Sequence, residues 1–260
     1  MKSLSEIINL EDMQLDSPSF RNQCKALLDA NGALVLEGFI KPNAINSIKQ
    51  DGEMNQHLAF YTKDSHNIYL KAQDHSLPDN HPRNRKIQSS KGCITTDQIP
   101  HSSALHTLYN AQEFKDFLCA VLDEQELHEY SDPLSGINLH YASQGQELGW
   151  HYDNSSFAIT LLVEEPENGG KFEYVKDVRD ADAGQMNYEQ SADILDGKIT
   201  PNTLTMKPGS LVLFRGRNSM HRVTPTIGDI TRMLVVLAYN TEPGISLSES
   251  ARMTFYGRLS

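Results

Sequence analysis

The N-terminal half of the chain alternates amphipathic stretches with short apolar runs. Ser17-Pro18 opens a periodic stretch that reaches Ala30, with Ser17 placed to cap a helix, Pro18 in its first turn and Gly32 just past its end. Ala33-Leu34-Val35-Leu36 predicts a short strand. Pro42 to about Gln50 predicts a second helix, with Ala44, Ile45 and Ile48 on one side. A third fits Ala111 to Leu122, where Phe114, Phe117, Leu118, Val121 and Leu122 recur at helical spacing. Between the second and third helices, Asn55 to Ser103 is polar and rich in His, Asn, Asp and Pro. A structureless loop of that length is unusual inside a compact domain, so the segment is expected to be a lid or to contain short strands such as Ile68-Tyr69-Leu70.

Strand patterning dominates from about residue 128 onward. Tyr141 to Trp150 reads as a strand, a glycine turn and a second strand, and Phe157 to Val163 as a β-branched and aromatic strand. An acidic turn and Gly169-Gly170 then predict a hairpin with Lys171-Phe172-Glu173-Tyr174-Val175 as its next strand. Lys207-Pro208-Gly209-Ser210 is a turn before the short buried strand Leu211-Val212-Leu213-Phe214, and Met233 to Leu237 is an apolar strand entered at Arg232. Lys176 to Thr200 forms an acidic, polar insertion with a short helix expected around Ser191 to Leu195. There are no internal repeats and no clear linker. One domain over residues 1–260, mainly β with α, is the simplest account.

Chemistry enters with His151-Tyr152-Asp153, answered by His221, 68 residues after Asp153, and then by Arg232. With 10 His and 18 Asp in 260 residues, chance alone supplies about 0.7 His-x-Asp triplets. The context therefore carries the weight. Alternation along a strand points His151 and Asp153 to one face, and His221 is the last histidine of the chain. Turn, strand, loop, ligand is how a jelly roll returns a distant residue to the first pair. Two imidazoles and one carboxylate occupy one face of an octahedral iron(II) and leave the other open. Arg232 competes with Arg215, Arg217 and Arg222, but only Arg232 begins a buried strand after His221, where a lone guanidinium needs an anion. A 2-oxo acid whose far carboxylate takes a bidentate pair would supply it.

From about Gly32 onward the chain resembles the iron(II)/2-oxoglutarate oxygenases, and within them the subgroup of amino-acid radical halogenases and their hydroxylating relatives. The resemblance rests on Leu148-Gly149-Trp150-His151-Tyr152-Asp153, Phe157-Ala158-Ile159-Thr160-Leu161-Leu162, Gly169-Gly170, Leu213-Phe214-Arg215-Gly216-Arg217 and His221-Arg222-Val223-Thr224-Pro225. His81-Pro82-Arg83-Asn84-Arg85, Thr241-Glu242-Pro243-Gly244 and Phe255-Tyr256-Gly257-Arg258 add to it. It implies a double-stranded β-helix (jelly-roll) core at 128–260 carrying the metal site, behind a helical and loop-rich part at 1–127. His151, Asp153 and His221 are then the iron ligands, Arg232 the 2-oxoglutarate anchor, and Arg83 a holder of a substrate carboxylate. Asn138 and His140 are further candidates facing the barrel lumen, and Asn154 a candidate support beside Asp153. Halogenases of this subgroup carry a small residue where the carboxylate ligand would sit, and the vacancy admits chloride. Asp153 fills that position, which implies a hydroxylase type and not a halogenase. Leu148, Val236 and Ala238 stand where amino-acid oxygenases of the subgroup use polar side chains, which argues against a free basic amino acid as substrate.

The resemblance thus implies a dioxygenase that uses Fe(II), 2-oxoglutarate and O2 to hydroxylate an unactivated C–H bond of a small polar metabolite such as an amino acid or amine. A desaturase or cyclase with the same ligands, or a non-catalytic jelly-roll binding protein, are the alternatives. A net charge of -11 argues against a nucleic-acid groove. Cys24, Cys93 and Cys119 lack metal-type spacing and read as reduced thiols of a cytoplasmic protein. The N-terminus lacks a signal-peptide core and no segment is apolar enough to span a membrane. The expected partner is a small-molecule substrate, with no nucleic acid or membrane, and a homodimer is compatible with this reading.

Overall fold

The computed structural model describes residues 3–260. Helix α1 (Pro18–Asn31) is capped as its sequence predicts: Ser17 Oγ accepts from the Phe20 amide, and Gly32 closes the helix at φ 71°. It leads into β1 (Ala33–Leu36) and α2 (Pro42–Asn55). Helix α2 runs past Gln50 to Asn55, and in this added turn Gly52 is buried against Leu139 and Met233. The polar segment that follows is neither loop nor lid throughout. It holds two long strands, β2 (Phe60–His66) and β3 (Ile87–Ile94), paired antiparallel from Phe60↔Cys93 to His66↔Ile87.

The strand expected at Ile68-Tyr69-Leu70 does not form. These residues make a turn with Leu70 at φ 53°. Their apolar character serves packing instead, since Ile68 and Tyr69 join Trp150, Tyr152, Val178, Ile194 and Met220 in one cluster. Helices α3 (Ala104–Asn110) and α4 (Gln112–Leu122) follow. The longer elements that follow are β4 (Ile137–Ala142), β5 (Leu148–His151), β6 (Ala158–Glu164), β7 (Phe172–Val175), α5 (Tyr188–Leu195), β8 (Asn202–Leu204), β9 (Leu211–Phe214), β10 (Met220–Val223), β11 (Arg232–Leu237) and α6 (Glu249–Tyr256).

Eleven strands form one antiparallel sheet in the order β1-β9-β6-β11-β4-β3-β5-β10-β7-β8, with β2 branching from β3. The sheet curls at β3. Its C-terminal half pairs β4 through Gly92↔Tyr141, Cys93↔His140 and Ile94↔Leu139, while Ser89 meets Leu148 of β5. This bend folds β5, β10, β7 and β8 over the longer wall and makes the jelly-roll core. Strands β1 and β3, from the first half of the chain, are integral to it.

The hairpin expected across Gly169-Gly170 is also absent. Strand β6 pairs β9 and β11, whereas β7 pairs β8 and β10. The two glycines carry the chain from one wall to the other at φ 66° and 56°. A Cβ on Gly169 would stand 2.0 Å from the Pro225 carbonyl oxygen, so no side chain fits this crossing.

Alternation gives the long wall two unlike faces. Leu139 and Tyr141 of β4, Ile159, Leu161 and Val163 of β6, Leu211 and Leu213 of β9, and Met233, Val235 and Leu237 of β11 point outward into the main core. There they meet Ile45 and Ile48 of α2 and Phe114, Phe117 and Leu118 of α4. The opposite face looks into the lumen.

Candidate metal centre

His151 ends β5 and His221 sits on β10, where the two are direct cross-strand partners. Each imidazole is oriented by its own strand: His151 Nδ1 donates to the Gly149 carbonyl at 2.8 Å and His221 Nδ1 to the Ser219 carbonyl at 3.0 Å. That arrangement leaves both Nε2 lone pairs aimed at one point. Asp153, one residue beyond Tyr152, brings Oδ1 to 3.6 Å from His151 Nε2 and 3.5 Å from His221 Nε2. One donor atom from each residue lies within 4.8 Å of the others.

Burial raises the cost of charge at Asp153, but the two neighbouring imidazoles, His221 first, outweigh it and hold the carboxyl ionised. Burial, with His221 alongside, keeps His151 neutral by lowering its pKa. The second oxygen, Asp153 Oδ2, is buried with no hydrogen-bond partner. Two imidazoles, one carboxylate and an orphaned carboxylate oxygen fit a divalent metal, and the set is the facial one of non-haem iron(II).

The walls of the site come from residues the sequence did not single out. His221 stacks on Phe172 and meets Phe214 edge-on. Gly216 lies against the carboxylate: its carbonyl accepts from the Asp153 amide at 3.1 Å, and a Cβ there would stand 1.8 Å from Asp153 Oδ2. The absence of a side chain at 216 is what lets the carboxylate turn inward. Arg179 caps the triplet from outside, over the Tyr152 ring at 4.1 Å, and donates to the Arg217 carbonyl at 2.8 Å.

Arg232 is 6 % exposed and has neither a carboxylate nor a hydrogen-bond partner among the described residues. Burial pushes its pKa down to about 10, so it stays cationic. Its competitors are each committed to an acid: Arg215 to Asp29, Arg217 to Asp182 and Arg222 to Glu173. Arg232 lines a cavity of about 210 Å³ with Leu162, Gly170, Leu204 and Phe172, the ring that stacks on His221. Gly170 is the reason the guanidinium stem fits, since a Cβ there would stand 2.9 Å from Arg232 Cδ.

The other candidates fare differently. Asn138 is buried but already engaged: Nδ2 donates to the Leu134 and Ile137 carbonyls, and Oδ1 accepts from Tyr256. Asn154 is exposed, and its carbonyl accepts from Arg217. Arg83 lies in the segment between β2 and β3, with Nη1 buried and without a partner. That segment joins the Lys176–Thr200 insertion through Arg85 to Asp196, His81 to Tyr188, and Tyr69 to Ser191, which Tyr152 of the ligand triplet also meets. His140 faces the lumen beside Lys91. Lys91 left no mark in the sequence because Gln88 to Lys91 is uniformly polar and hides the alternation of β3.

The Halogenase D family matches this sequence over residues 18–254. No protein of curated function matches it by sequence. Among solved structures, an oxidoreductase of the 2OG-Fe(II) oxygenase family from Burkholderia pseudomallei superposes with TM-score 0.56 at 13 % identity, covering 88 % of this chain and 95 % of its own. The non-heme alpha ketoglutarate dependent carbocyclase SnoK from nogalamycin biosynthesis gives 0.59 at 10 %, covering 88 % and 89 %. A prolyl-4-hydroxylase from Pseudomonas putida gives 0.51 at 10 %, covering 83 % and 96 %. At such identities these likenesses speak for the fold.

Proposed function

This chain belongs to the Halogenase D family, and we propose that within it the protein is an iron(II)- and 2-oxoglutarate-dependent oxygenase of the hydroxylating kind. Its substrate is a small polar metabolite. The observation that carries the reading is the Asp153 carboxylate between His151 and His221. A carboxylate there occupies a metal position and brings negative charge, so a halide is opposed both sterically and electrostatically.

His151, Asp153 and His221 would hold the metal, the Nδ1 hydrogen bonds of the two histidines fixing which nitrogen faces it. Arg232, which lines the same cavity as Phe172, would pair with the distal carboxylate of 2-oxoglutarate and so position it for the metal. Leu162, Phe172 and Phe214 keep this region dry. Iron, 2-oxoglutarate and O2 together supply oxidation of an unactivated C–H bond, leaving succinate and CO2. The β2–β3 connection and the Lys176–Thr200 insertion close over the outside of the ligand strands, and Arg83 remains the candidate for a substrate carboxylate.

Desaturation or ring closure at the same site is the second reading, favoured by the shared fold of the carbocyclase SnoK. Among the described residues no helix is long and apolar enough to cross a membrane, and the acidic net charge argues against a nucleic-acid substrate. The test is a metabolite screen by mass spectrometry with chloride present, reading succinate together with the product. Gain of one oxygen is the expected result. Loss of two hydrogens supports the second reading, and a chlorinated product from the unaltered protein overturns the role given to Asp153.

A further inference from the structure

The lumen holds a second cation that metal and 2-oxoglutarate leave unused. Lys91 stands on β3 two residues from Cys93, which pairs with His140 of β4, while His140 pairs with Leu234 of β11, two residues from Arg232. Alternation therefore puts Lys91, His140 and Arg232 on one face of the wall, the face opposite the metal ligands. Lys91 Nζ lies 3.2 Å from both ring nitrogens of His140. No carboxylate among the described residues comes within ion-pair distance of it, although Asp153 is near enough to act on its charge. Burial opposes the charged form of both Lys91 and His140. An ammonium kept in such a place without a counter-ion is costly, as it is for Arg232.

Arg232 is explained by the distal carboxylate of the co-substrate. We propose that Lys91 and His140 form a second anion subsite in the lumen, which takes a carboxylate group. This rests on the oxygenase reading above and names the chemical class of what shares the lumen with 2-oxoglutarate. Charge balance points the same way. With Lys91 in its ammonium form, iron(II), Lys91 and Arg232 would bring four positive charges against three negative ones from Asp153 and the 2-oxoglutarate dianion. An acidic group on the substrate would neutralise the remainder and hold Lys91 in that form. The same ammonium would also suit the metal-binding carboxylate of 2-oxoglutarate, so the test separates the two sources.

The experiment uses the full chain loaded anaerobically with iron(II), titrated with 2-oxoglutarate by its charge-transfer absorbance. A series of straight-chain monocarboxylic acids, each against its amide, is then followed by calorimetry and thermal shift. With the substrate as source, wild type binds acids in preference to amides, and Lys91→Met loses that preference by about tenfold or more while its 2-oxoglutarate affinity holds. Lys91→Arg keeps part of it. With the co-substrate as source, Lys91→Met lowers 2-oxoglutarate affinity by about tenfold instead, and the subsite stands on that ligand. Either result is read beside the melting temperature of the unliganded variant. Removing an unpaired buried ammonium leaves that temperature unchanged or raised, which separates a lost subsite from a damaged fold, and Lys91→Gln repeats the measurement with a polar side chain. The proposal is overturned if Lys91→Met changes neither acid binding nor 2-oxoglutarate affinity beyond about twofold, which lies within the spread of neutral substitutions. Failure of wild type to bind 2-oxoglutarate at all would sink the oxygenase reading, and the acid–amide comparison on the same protein would still decide the subsite.

Discussion

The two faces of the long wall are built from the same strands and have opposite chemistry. Along β11, Met233, Val235 and Leu237 point into the helix-packed core, while Arg232, Leu234 and Val236 point into the lumen. Along β4, Leu139 and Tyr141 face the core, and Asn138 and His140 the lumen. The outward face satisfies every rule of packing, with apolar side chains against apolar helices. On the inward face Arg232 lacks a carboxylate, Lys91 has only His140, and across the lumen one oxygen of Asp153 has no partner. A fold tolerates such groups when the other face supplies the stability and a ligand supplies the partner. The lesson is that function here is found where burial and satisfaction part company.

The largest expected effect tests whether the inward residues can be lost without cost to the fold. His151→Ala, Asp153→Ala and His221→Ala should each abolish turnover and iron binding, with the thermal midpoint of the metal-free protein little changed. Calorimetric iron titration checks each one, and unaltered affinity removes that residue from the ligand set. The outward face gives the converse. Phe117, fully buried and stacked on Phe20, anchors α4 to the main core. Phe117→Ala should cost about 3–5 kcal/mol of stability, with iron affinity of the folded fraction unchanged. Iron affinity that falls in step with stability would mean the two faces are not separable.

Arg232→Ala comes next. Co-substrate affinity should fall by about 2–5 kcal/mol, as when one partner of a buried charge pair is removed. Stability of the unliganded protein should not fall with it, since the guanidinium has no partner there to lose. Arg232→Lys restores only part, because an ammonium cannot offer the planar fork. Unchanged 2-oxoglutarate affinity in Arg232→Ala would transfer the role to Lys91.

The division between faces also explains what was legible in the sequence. Capping at Ser17 and Gly32, the helical face of Phe114 to Leu122, and the apolar runs Leu211–Phe214 and Met233–Leu237 are local signals, and the elements follow them. The metal set was legible because two of its members sit one residue apart and the third is the last histidine. Strands β2 and β3 were hidden: β2 is mostly exposed and β3 half polar, so neither shows an apolar rhythm. Ile68 and Tyr69 misled in the opposite sense, being apolar for a long-range contact with the Lys176–Thr200 insertion. Gly216 could not be distinguished from a turn glycine, because its purpose depends on a carboxylate 63 residues away in sequence.

That glycine supplies a smaller and sharper test. Gly216→Ala places a methyl group where Asp153 Oδ2 now lies, and the carboxylate must yield or the loop must shift. Overpacking of this kind costs about 1–3 kcal/mol, and here it should be felt in iron affinity more than in stability. A spectroscopic iron titration that matches wild type would show that the loop gives way and Gly216 has no part in placing the ligand.

The smallest expected effect reduces the comparison to neighbouring residues. His221 points into the lumen, and Arg222, the next residue of β10, points out. Its guanidinium lies over the Trp150 ring at 4.8 Å and pairs with Glu173 at 2.7 Å, at a side-chain exposure of 35 %. A half-exposed ion pair and a cation–π contact are each worth about 1 kcal/mol or less. Arg222→Ala should therefore lower stability by about 1 kcal/mol and reduce its salt dependence. Iron and 2-oxoglutarate affinities should match wild type, even though the substitution adjoins a metal ligand. The paired measurement is a denaturant titration beside an iron titration. A tenfold loss of iron affinity in a variant of normal stability would mean that the outward side of β10 also sets the His221 geometry. The alternation of faces would then fail as a guide to which residues serve the metal.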